Sequence, residues 1–474
     1  MIYRIAQKEF LEIRRDMRFR WTALIVFTLL LVSLGLGWKN YSDIQRDRSA
    51  AQADSRKTWE NQGERNPHSA AHFGVVAFKP KKPLSLVDPG LDNYSGTSIW
   101  VEAHYQNPAR HRPTEDATAL QRFGELTAAG VLQLLLPLLI VFLVFDSFAG
   151  ERNSGTLRQV LSIGLKRSTL VFGKILGTTA ALFLLLVPAT VIGVLALALA
   201  SSNEALLSSL PRFLIMCVGY LLYFGAFIGI SLTVSAAAST TRLALIFLLG
   251  FWVFACLAIP RLANDVALNA HPMPSNKQFW DQVYEDMKEG VDGHDPSHVR
   301  TKQLEERLLK QYGVAKKEDL PVNFNALMLQ AGEEHSNLLY AKRFGEIWEI
   351  YFSQERTQEY FGLVSPFLPV RSLSMAVAGT DLRHQEHFSL EVEKYRREFV
   401  KMLNLDFAYN SKTSDEYNYF VGEEVWKKSP KFQYVSPDLN WSLQFEIWNL
   451  VLLAIWCFGA LGLSVFAANR MRGF

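Results

Sequence analysis

Histidines are the residues of this sequence whose types and spacing most directly suggest chemistry, because two imidazoles on one turn of a helix can share a metal ion. They form three close pairs: His68/His72, His294/His298 and His384/His387. Each pair lies in polar sequence, where histidine is an ordinary surface residue. The composition therefore favours no metal site on this chain, although it leaves zinc or copper binding at a pair open.

The single Gly-Lys pair, Gly173-Lys174, bears on nucleotide hydrolysis. A phosphate-binding loop follows the pattern G-x-x-x-x-G-K-[ST], in which backbone amides and the lysine hold the phosphates. Here Ile175 follows the lysine and the pair opens an apolar segment. We therefore expect no catalytic residue and no cofactor on this chain.

The stretch 148–174 predicts a short helix between two apolar blocks. Thr156 and Gln159 fit a capping box, and Gly164 is a natural C-terminal stop. One apolar face is formed by Leu157, Val160 and Leu161. A two-turn helix held between two spans is suited to transmit force to or from a soluble partner.

Asp146 stands near the end of the second apolar block. A carboxylate is costly in hydrocarbon and is often functional there. Its place beside Gly150 and Glu151 also fits the membrane interface. Two interpretations stay open, an interfacial carboxylate and a residue of a transport path or gate.

Six apolar blocks could position these residues, since about 20 residues at 1.5 Å each cross the roughly 30 Å of hydrocarbon. They lie at 21–38, 128–148, 176–200, 213–237, 243–260 and 447–467. The first is short and bracketed by tryptophans, and no small-residue cleavage site follows it, so we interpret it as an uncleaved anchor. The sequence predicts an all-α polytopic membrane protein with six transmembrane helices.

The distribution of Lys and Arg predicts the orientation of these spans. Segments 1–20, 149–169, 236–242 and 468–474 together carry 13 basic and 4 acidic side chains. They are expected to face the cytoplasm, with both termini inside. The long segments 39–125 and 261–446 then lie outside, and the second of them carries 22 basic and 29 acidic side chains.

The expected organisation has nine parts. In order they are a cytoplasmic amphipathic interfacial helix (1–20), the first span (21–38), an external segment (39–125), the second span (126–148), the cytoplasmic helix loop (149–169), spans three to five (170–260), a large external helical domain (261–446), the sixth span (447–467) and a cytoplasmic tail (468–474). All three cysteines lie in spans, so the external parts must fold without disulfides.

Within the external parts, segment 39–125 begins with a polar helical stretch and then reads mostly as loop, because prolines interrupt it. In 261–446 we predict one helix from Asn323 to about Val364 and another from a Ser389 N-cap to about Leu403. The apolar run 365–381 is too short to span, and we expect it to lie at the outer membrane surface.

The loop after the second span resembles that of the ABC-2 family of exporter permeases, which have the type V ABC exporter fold. The elements that carry the likeness are Glu151, Gly155-Thr156-Leu157 and Gly173-Lys174. Within that family the chain is similar to a bacterial subgroup with a large external domain between spans five and six. That closer likeness rests on Pro260-Arg261, on the run from Ser365-Pro366 to Gly379-Thr380-Asp381, and on Tyr395-Arg396 after His384 and Phe388.

The resemblance implies a multi-pass permease of the bacterial inner membrane that works with a second permease, identical or related, and with separate ABC ATPase subunits. ATP and Mg²⁺ would bind to the ATPase. The residues implied in coupling are Glu151, Arg152, Gly155, Thr156, Leu157, Arg158, Val160 and Leu161. Arg158 and Gln159 depart from the family, which carries an acidic residue after Thr-Leu. The lipid bilayer is a further partner, a periplasmic protein is an allowed one, and nucleic acid is not expected.

Two other classes of function remain beside an exporter. A force-transmitting subunit would use ATP cycles to move its external domain or a periplasmic partner without moving a solute. A membrane-anchored enzyme would need a nucleophile, a base or a metal cluster in 261–446. That segment shows only scattered His and Ser in charged helices, which disfavours the enzyme.

Overall fold

The computed structural model describes residues 1–115, 125–289, 297–415 and 417–471, and within them the chain is mostly helical. Six helical stretches are long and apolar enough to cross a membrane, which confirms the predicted number. They are Met17–Glu60, Ala128–Asn153, Arg167–Ala200, Ala205–Ala237, Thr241–Ala270 and Leu439–Arg470.

The regular elements are named here in chain order. They are α1 (Ile2–Arg15), α2 (Met17–Glu60), α3 (Pro67–Phe73), β1 (Val75–Phe78), α4 (Asp92–Ser95), β2 (Ser98–Val101), α5 (Leu136–Val144), α6 (Ala149–Asn153), α7 (Thr156–Ser162), α8 (Arg167–Ala200), α9 (Asn203–Ala237), α10 (Thr241–Val253), α11 (Ile259–Ala270), α12 (Asn276–Glu289), α13 (Ser297–Tyr312), α14 (Phe324–Tyr360), α15 (Phe367–Ala378), α16 (Leu382–Asn410), α17 (Glu423–Lys428) and α18 (Leu439–Arg470). Two π-helical turns, Val131–Leu135 and Phe254–Ala258, continue into α5 and α11.

Helix α2 is the longest element of the chain as described, with 44 residues. At 1.5 Å per residue it extends roughly 66 Å, about twice the thickness of hydrocarbon. Its first half lies in the bundle of spans. Its second half runs into a folded unit formed by residues 45–115, 271–289, 297–360, 379–415 and 417–438, which we call the large domain.

Glycines allow close packing between α9 and α18 in the bundle. A Cβ at Gly225 would lie 2.5 Å from the Sγ of Cys457, and one at Gly229 would lie 2.6 Å from the carbonyl carbon of Ala460. Both distances are too short for any side chain, so the two helices touch through these glycines. This G-x-x-x-G pattern acts in packing within one chain.

Helix α15 corrects the expectation that the run 365–381 lies on the membrane surface. Its Val370, Leu373 and Val377 are buried in the core of the bundle. Leu373 also fills the space beside Gly219 of α9, where a Cβ would lie 2.5 Å from its Cδ2. An apolar helix of this length inserts between α9 and α18 because its apolar residues surround it on most sides, not along a single face.

The segment 39–125 contains more regular structure than the predicted loop, and its two strands are an exception to the all-α expectation. β1 and β2 pair antiparallel, with Val75 opposite Val101 and Phe78 opposite Ser98. The strands are four residues each and stable only because they pack on a core.

That core combines residues of the segments 39–125 and 261–446, which the sequence presented as separate. Trp59 of α2 and Trp426 of α17 are fully buried, with ring centroids 5.4 Å apart. Trp59 also contacts Phe399 of α16 at 4.7 Å between centroids, and its Nε1 donates to the Ser429 Oγ at 2.8 Å. The large domain is therefore one body built from both segments.

The two long helices of the large domain were predicted with different success. α14 begins after Asn323, whose side chain accepts a hydrogen bond from the Ala326 amide, as an N-cap does. α16 begins earlier than predicted, because Asp381 is its N-cap. The predicted cap Ser389 lies inside the helix, where its hydroxyl donates to the Gln385 carbonyl.

Candidate functional site

The loop between the second and third spans forms two short helices, α6 and α7, at the end of the bundle that we call the loop end. Gly155 separates them with a φ of 78°, a left-handed conformation that suits glycine. The predicted capping box is wrong, since Gly155 is the N-cap of α7 and has no side chain. Thr156 is instead the first helical residue, and its hydroxyl donates to the Glu151 carbonyl at 3.2 Å. Gly164, with a φ of 80°, ends the helix as expected.

The apolar face of α7 points into the subunit. Leu157 is only 3% exposed and belongs to the core of the bundle, and Val160 and Leu161 pack half-buried against that core. The outward face of this segment includes Gln159 and Ile163, and Ile163 is 78% exposed. Any soluble partner would therefore contact this outward face, which also includes Arg158 and Ser162.

Arg152 attaches α6 to the end of α9. Its guanidinium donates to the Ala236 carbonyl at 2.6 Å and also to the Ala238 carbonyl. A cation suits this place, because the last carbonyls of a helix lack intrahelical partners and carry partial negative charge. The Ser235 Oγ accepts from the Phe148 amide at 3.0 Å, so the start of α6 is held at the same point.

A buried charge cluster, formed by Lys8, Glu9, Glu151 and Lys174, joins the loop to two other helices. Lys174 of α8 is 1% exposed, and its Nζ lies 3.0 Å from a carboxylate oxygen of Glu9 and 3.0 Å from one of Glu151. Lys8 approaches Glu151 at 3.1 Å from the half-exposed side. Burial opposes the charge of Lys8, but Glu12 and Glu151 outweigh it and raise its pKa.

Glycines of α8 allow α1 to reach this cluster. A Cβ at Gly173 would lie 2.4 Å from the Ile5 Cγ2, and one at Gly177 would lie 2.6 Å from the Glu9 Cβ. Sequence reasoning named Glu151 and Gly173-Lys174 but missed Glu9. A signal for it exists, since Glu9 stands between Ile5 and Ile13 on the apolar stripe of α1, where an unpaired carboxylate would be unfavourable.

The remaining predicted site residues lie apart from this cluster. Asp146 is half-buried at the turn between α5 and α6, and its carbonyl accepts from the Gly150 amide at 2.6 Å. His384 contacts Asp381 and Ser442, whereas His387 contacts the Tyr434 hydroxyl at 3.1 Å, so this pair does not share one site. His294 lies outside the described residues.

Comparison with family models divides the chain into two parts. Residues 102–266 match the model described as ABC-2 family transporter protein. The chain carries an ABC-2 family transporter membrane domain. Residues 277–435 match the model described as Domain of unknown function (DUF3526). The chain matches no curated protein at a significant level.

The ABC-2 match covers α5 to α10 and contains the loop end except α1, the start of α2 and the end of α18. Glu151, Arg152 and Lys174 lie within it, whereas Lys8 and Glu9 do not. The DUF3526 match covers the part of the large domain from α12 to α17. Six helices long and apolar enough to cross a membrane and a region similar to ABC-2 family transporters together indicate a multi-pass membrane protein.

Proposed function

We propose that this chain is the membrane-spanning permease subunit of an ABC exporter in a bacterial inner membrane. A second permease, identical or related, completes the membrane unit, and separate ATPase subunits bind at the loop end. The loop end faces the cytoplasm, because the segments there carry 13 basic and 4 acidic side chains. The ABC-2 match supports the membrane role, and neither match names a substrate.

The observation that carries this proposal is the attachment of the loop to three helices at once. Glu151 binds Lys8 of α1 and Lys174 of α8, and Arg152 binds the last carbonyls of α9. A force applied to α6 and α7 therefore reaches three bundle helices through charged contacts. An unattached loop would absorb the same movement without passing it on.

Substitution of the exposed Ile163 tests the docking face. We expect Ile163→Asp to weaken binding of the ATPase by tenfold or more, since burial of a large apolar side chain is worth about 1.5–3 kcal/mol. The tagged chain is purified from membranes of its source cell, and co-purified ATP hydrolysis is measured. Val435→Asp is the matched control, because Val435 is also 78% exposed and lies in the large domain.

Leu157→Asp separates docking from folding in the same experiment. Because Leu157 is buried in the subunit, this variant should lower the amount of chain in the membrane, whereas Ile163→Asp should leave it unchanged. Equal ATPase recovery with Ile163→Asp and with the wild type would contradict docking at this face.

A force-transmitting subunit is the second candidate, favoured by the continuity of two spans with the large domain. α2 runs unbroken from Met17 to Glu60, and Thr241–Ala270 is one continuous helical stretch. Both are stiff connections between the loop end and the large domain. Two measurements on vesicles that contain the complex separate this candidate from export. Force transmission predicts that ATP changes the hydrogen exchange of the large domain, and that no solute added from a source-cell extract crosses the vesicle membrane.

A further inference from the structure

Three histidines from distant parts of the sequence meet on the large domain. His68 and His72 lie on α3, and His104 follows β2. One ring nitrogen of each lies within 4.8 Å of the other two. The sequence suggested the pair on α3 but not the third histidine, because β1, α4 and β2 separate them and only the pairing of the strands brings His104 back.

The spacing of the first two imidazoles fits a tetrahedral ion. Their Nε2 atoms are 3.2 Å apart. Two nitrogens at about 2.05 Å from a tetrahedral Zn²⁺ lie about 3.3 Å apart, so both can bind one ion as they stand. A ring nitrogen of His104 lies within 4.8 Å of both, and the side chain of His104 is 37% exposed.

Hydrogen bonds select the nitrogen that each ring offers. The Nδ1 of His104 lies 2.6 Å from the Glu333 carboxylate, and the Nδ1 of His68 lies 3.4 Å from the Asn404 Oδ1. In both rings Nδ1–H donates, which leaves the lone pair of Nε2 for a metal. A carboxylate behind a metal-binding histidine is a recurrent feature of zinc sites, because it fixes the tautomer and raises the basicity of the ligand.

The partners of the histidines are themselves held in place. Glu333 is 2% exposed, and it also accepts from the His104 amide at 2.7 Å and from Arg396 at 3.2 Å. Asn404, which is fully buried, donates to the Gln330 Oε1 at 3.2 Å. These hydrogen bonds fix the side chains around the histidines. α14 and α16 thereby hold the ligands on α3 and the ligand that follows β2 in position.

Backbone strain at His104 is a second, independent observation. Its φ is 68°, in the left-handed region that a residue with a side chain rarely adopts. Such conformations cost free energy and persist where the surroundings hold them, often at binding sites. Here the bond from the His104 amide to Glu333 holds the backbone, and the strained turn directs the ring toward His68 and His72.

We propose that His68, His72 and His104 bind one Zn²⁺ ion, with Glu333 and Asn404 as positioning residues. Three imidazoles leave one tetrahedral position, which opens to solvent on the side of the exposed His72. All three ligands belong to the segment before the second span, and Glu333 and Asn404 connect two of them to the long helices α14 and α16. The ion thereby fixes the two histidines that contact these helices.

Zinc content of the full-length chain tests this proposal. The chain is purified in detergent without a polyhistidine tag, treated with EDTA, dialysed, and titrated with Zn²⁺ against a chelating dye. We expect one Zn²⁺ per wild-type chain and at least a 100-fold loss of affinity in His72→Ala. The matched control is His387→Ala, which removes a half-buried histidine of the same domain and should bind as the wild type does.

Glu333→Gln and X-ray absorption sharpen the result. The variant keeps all three ligands, and its affinity should fall by about 10- to 100-fold. Absorption of the loaded wild type should show nitrogen ligands at about 2.0 Å. The proposal is overturned if the wild type binds less than a tenth of an equivalent of Zn²⁺, or if His72→Ala and His387→Ala bind Zn²⁺ equally. In those cases the rings form a hydrogen-bonded imidazole cluster.

Discussion

Two buried charge clusters, one at each end of the molecule, are built from different cations. At the loop end Lys174 contacts Glu9 and Glu151 through one nitrogen. In the large domain Arg396, 2% exposed, contacts Glu393 through two nitrogens at 2.7 and 2.9 Å and Glu333 through a third.

The difference concerns geometry more than strength. An ammonium group is a point charge on a flexible stem, and it keeps its partners when the helices that carry them shift. A guanidinium is a planar fork that binds in one orientation. The lysine cluster therefore suits the movement with an ATPase that we propose for the loop end, and the arginine cluster suits a rigid domain.

The largest expected effect breaks the arginine cluster. Arg396→Ala leaves the buried Glu333 with His104 and the buried Glu393 with Arg397 as remaining partners. Because the shared guanidinium is lost, we expect the large domain to lose about 4 kcal/mol of stability. Hydrogen exchange of the α16 amides measures this loss as a lower opening free energy. The control is Lys401→Ala, because Lys401 lies on the same helix as Arg396 and forms a half-exposed ion pair with Glu334 of α14. This change should alter the opening free energy by less than about 0.5 kcal/mol. Equal effects of the two variants would contradict the assigned role.

The second effect breaks the lysine cluster. Lys174→Ala should destabilise the loop end by about 3 kcal/mol, because two buried carboxylates lose their central cation. Thermal unfolding in detergent measures this loss of stability. The control is Lys8→Ala, which removes a half-exposed cation from the same Glu151 and should cost less. The triple change Lys174→Met, Glu9→Gln and Glu151→Gln should restore stability but not ATPase coupling. Recovery of both would show that the charges are dispensable.

The smallest effect concerns the approach of α1 to α8. A Cβ in Gly177→Ala would meet the Glu9 Cβ, so α1 must shift, at a cost of about 1–2 kcal/mol. Faster hydrogen exchange of residues 2–15 measures the shift. Gly193→Ala on the same helix is the matched control, because its Cβ would meet nothing within 4 Å. Unchanged exchange in Gly177→Ala would mean that α1 is not held by this contact.

Much of the helical structure could be predicted from local sequence. The six spans, the helix beginning after Asn323 and the stop at Gly164 follow from apolar length, capping and φ preference, which depend on neighbours in the chain. The capping box at Thr156 and the cap at Ser389 were wrong because they too were predicted from local pattern alone. More than one residue near the start of each helix fits a cap, and the fold decides which of them stays outside the helix.

The sequence by itself determined how many helices are long and apolar enough to cross a membrane, because hydrocarbon offers no partner for an exposed peptide group and only long apolar helices satisfy that condition. Tertiary structure alone decided which way Leu157 points, that α15 inserts into the bundle, and that Glu9 meets Lys174. It also decided that His104 joins His68 and His72. Each of these depends on contacts between residues far apart in the chain, and no local pattern encodes the distance between them.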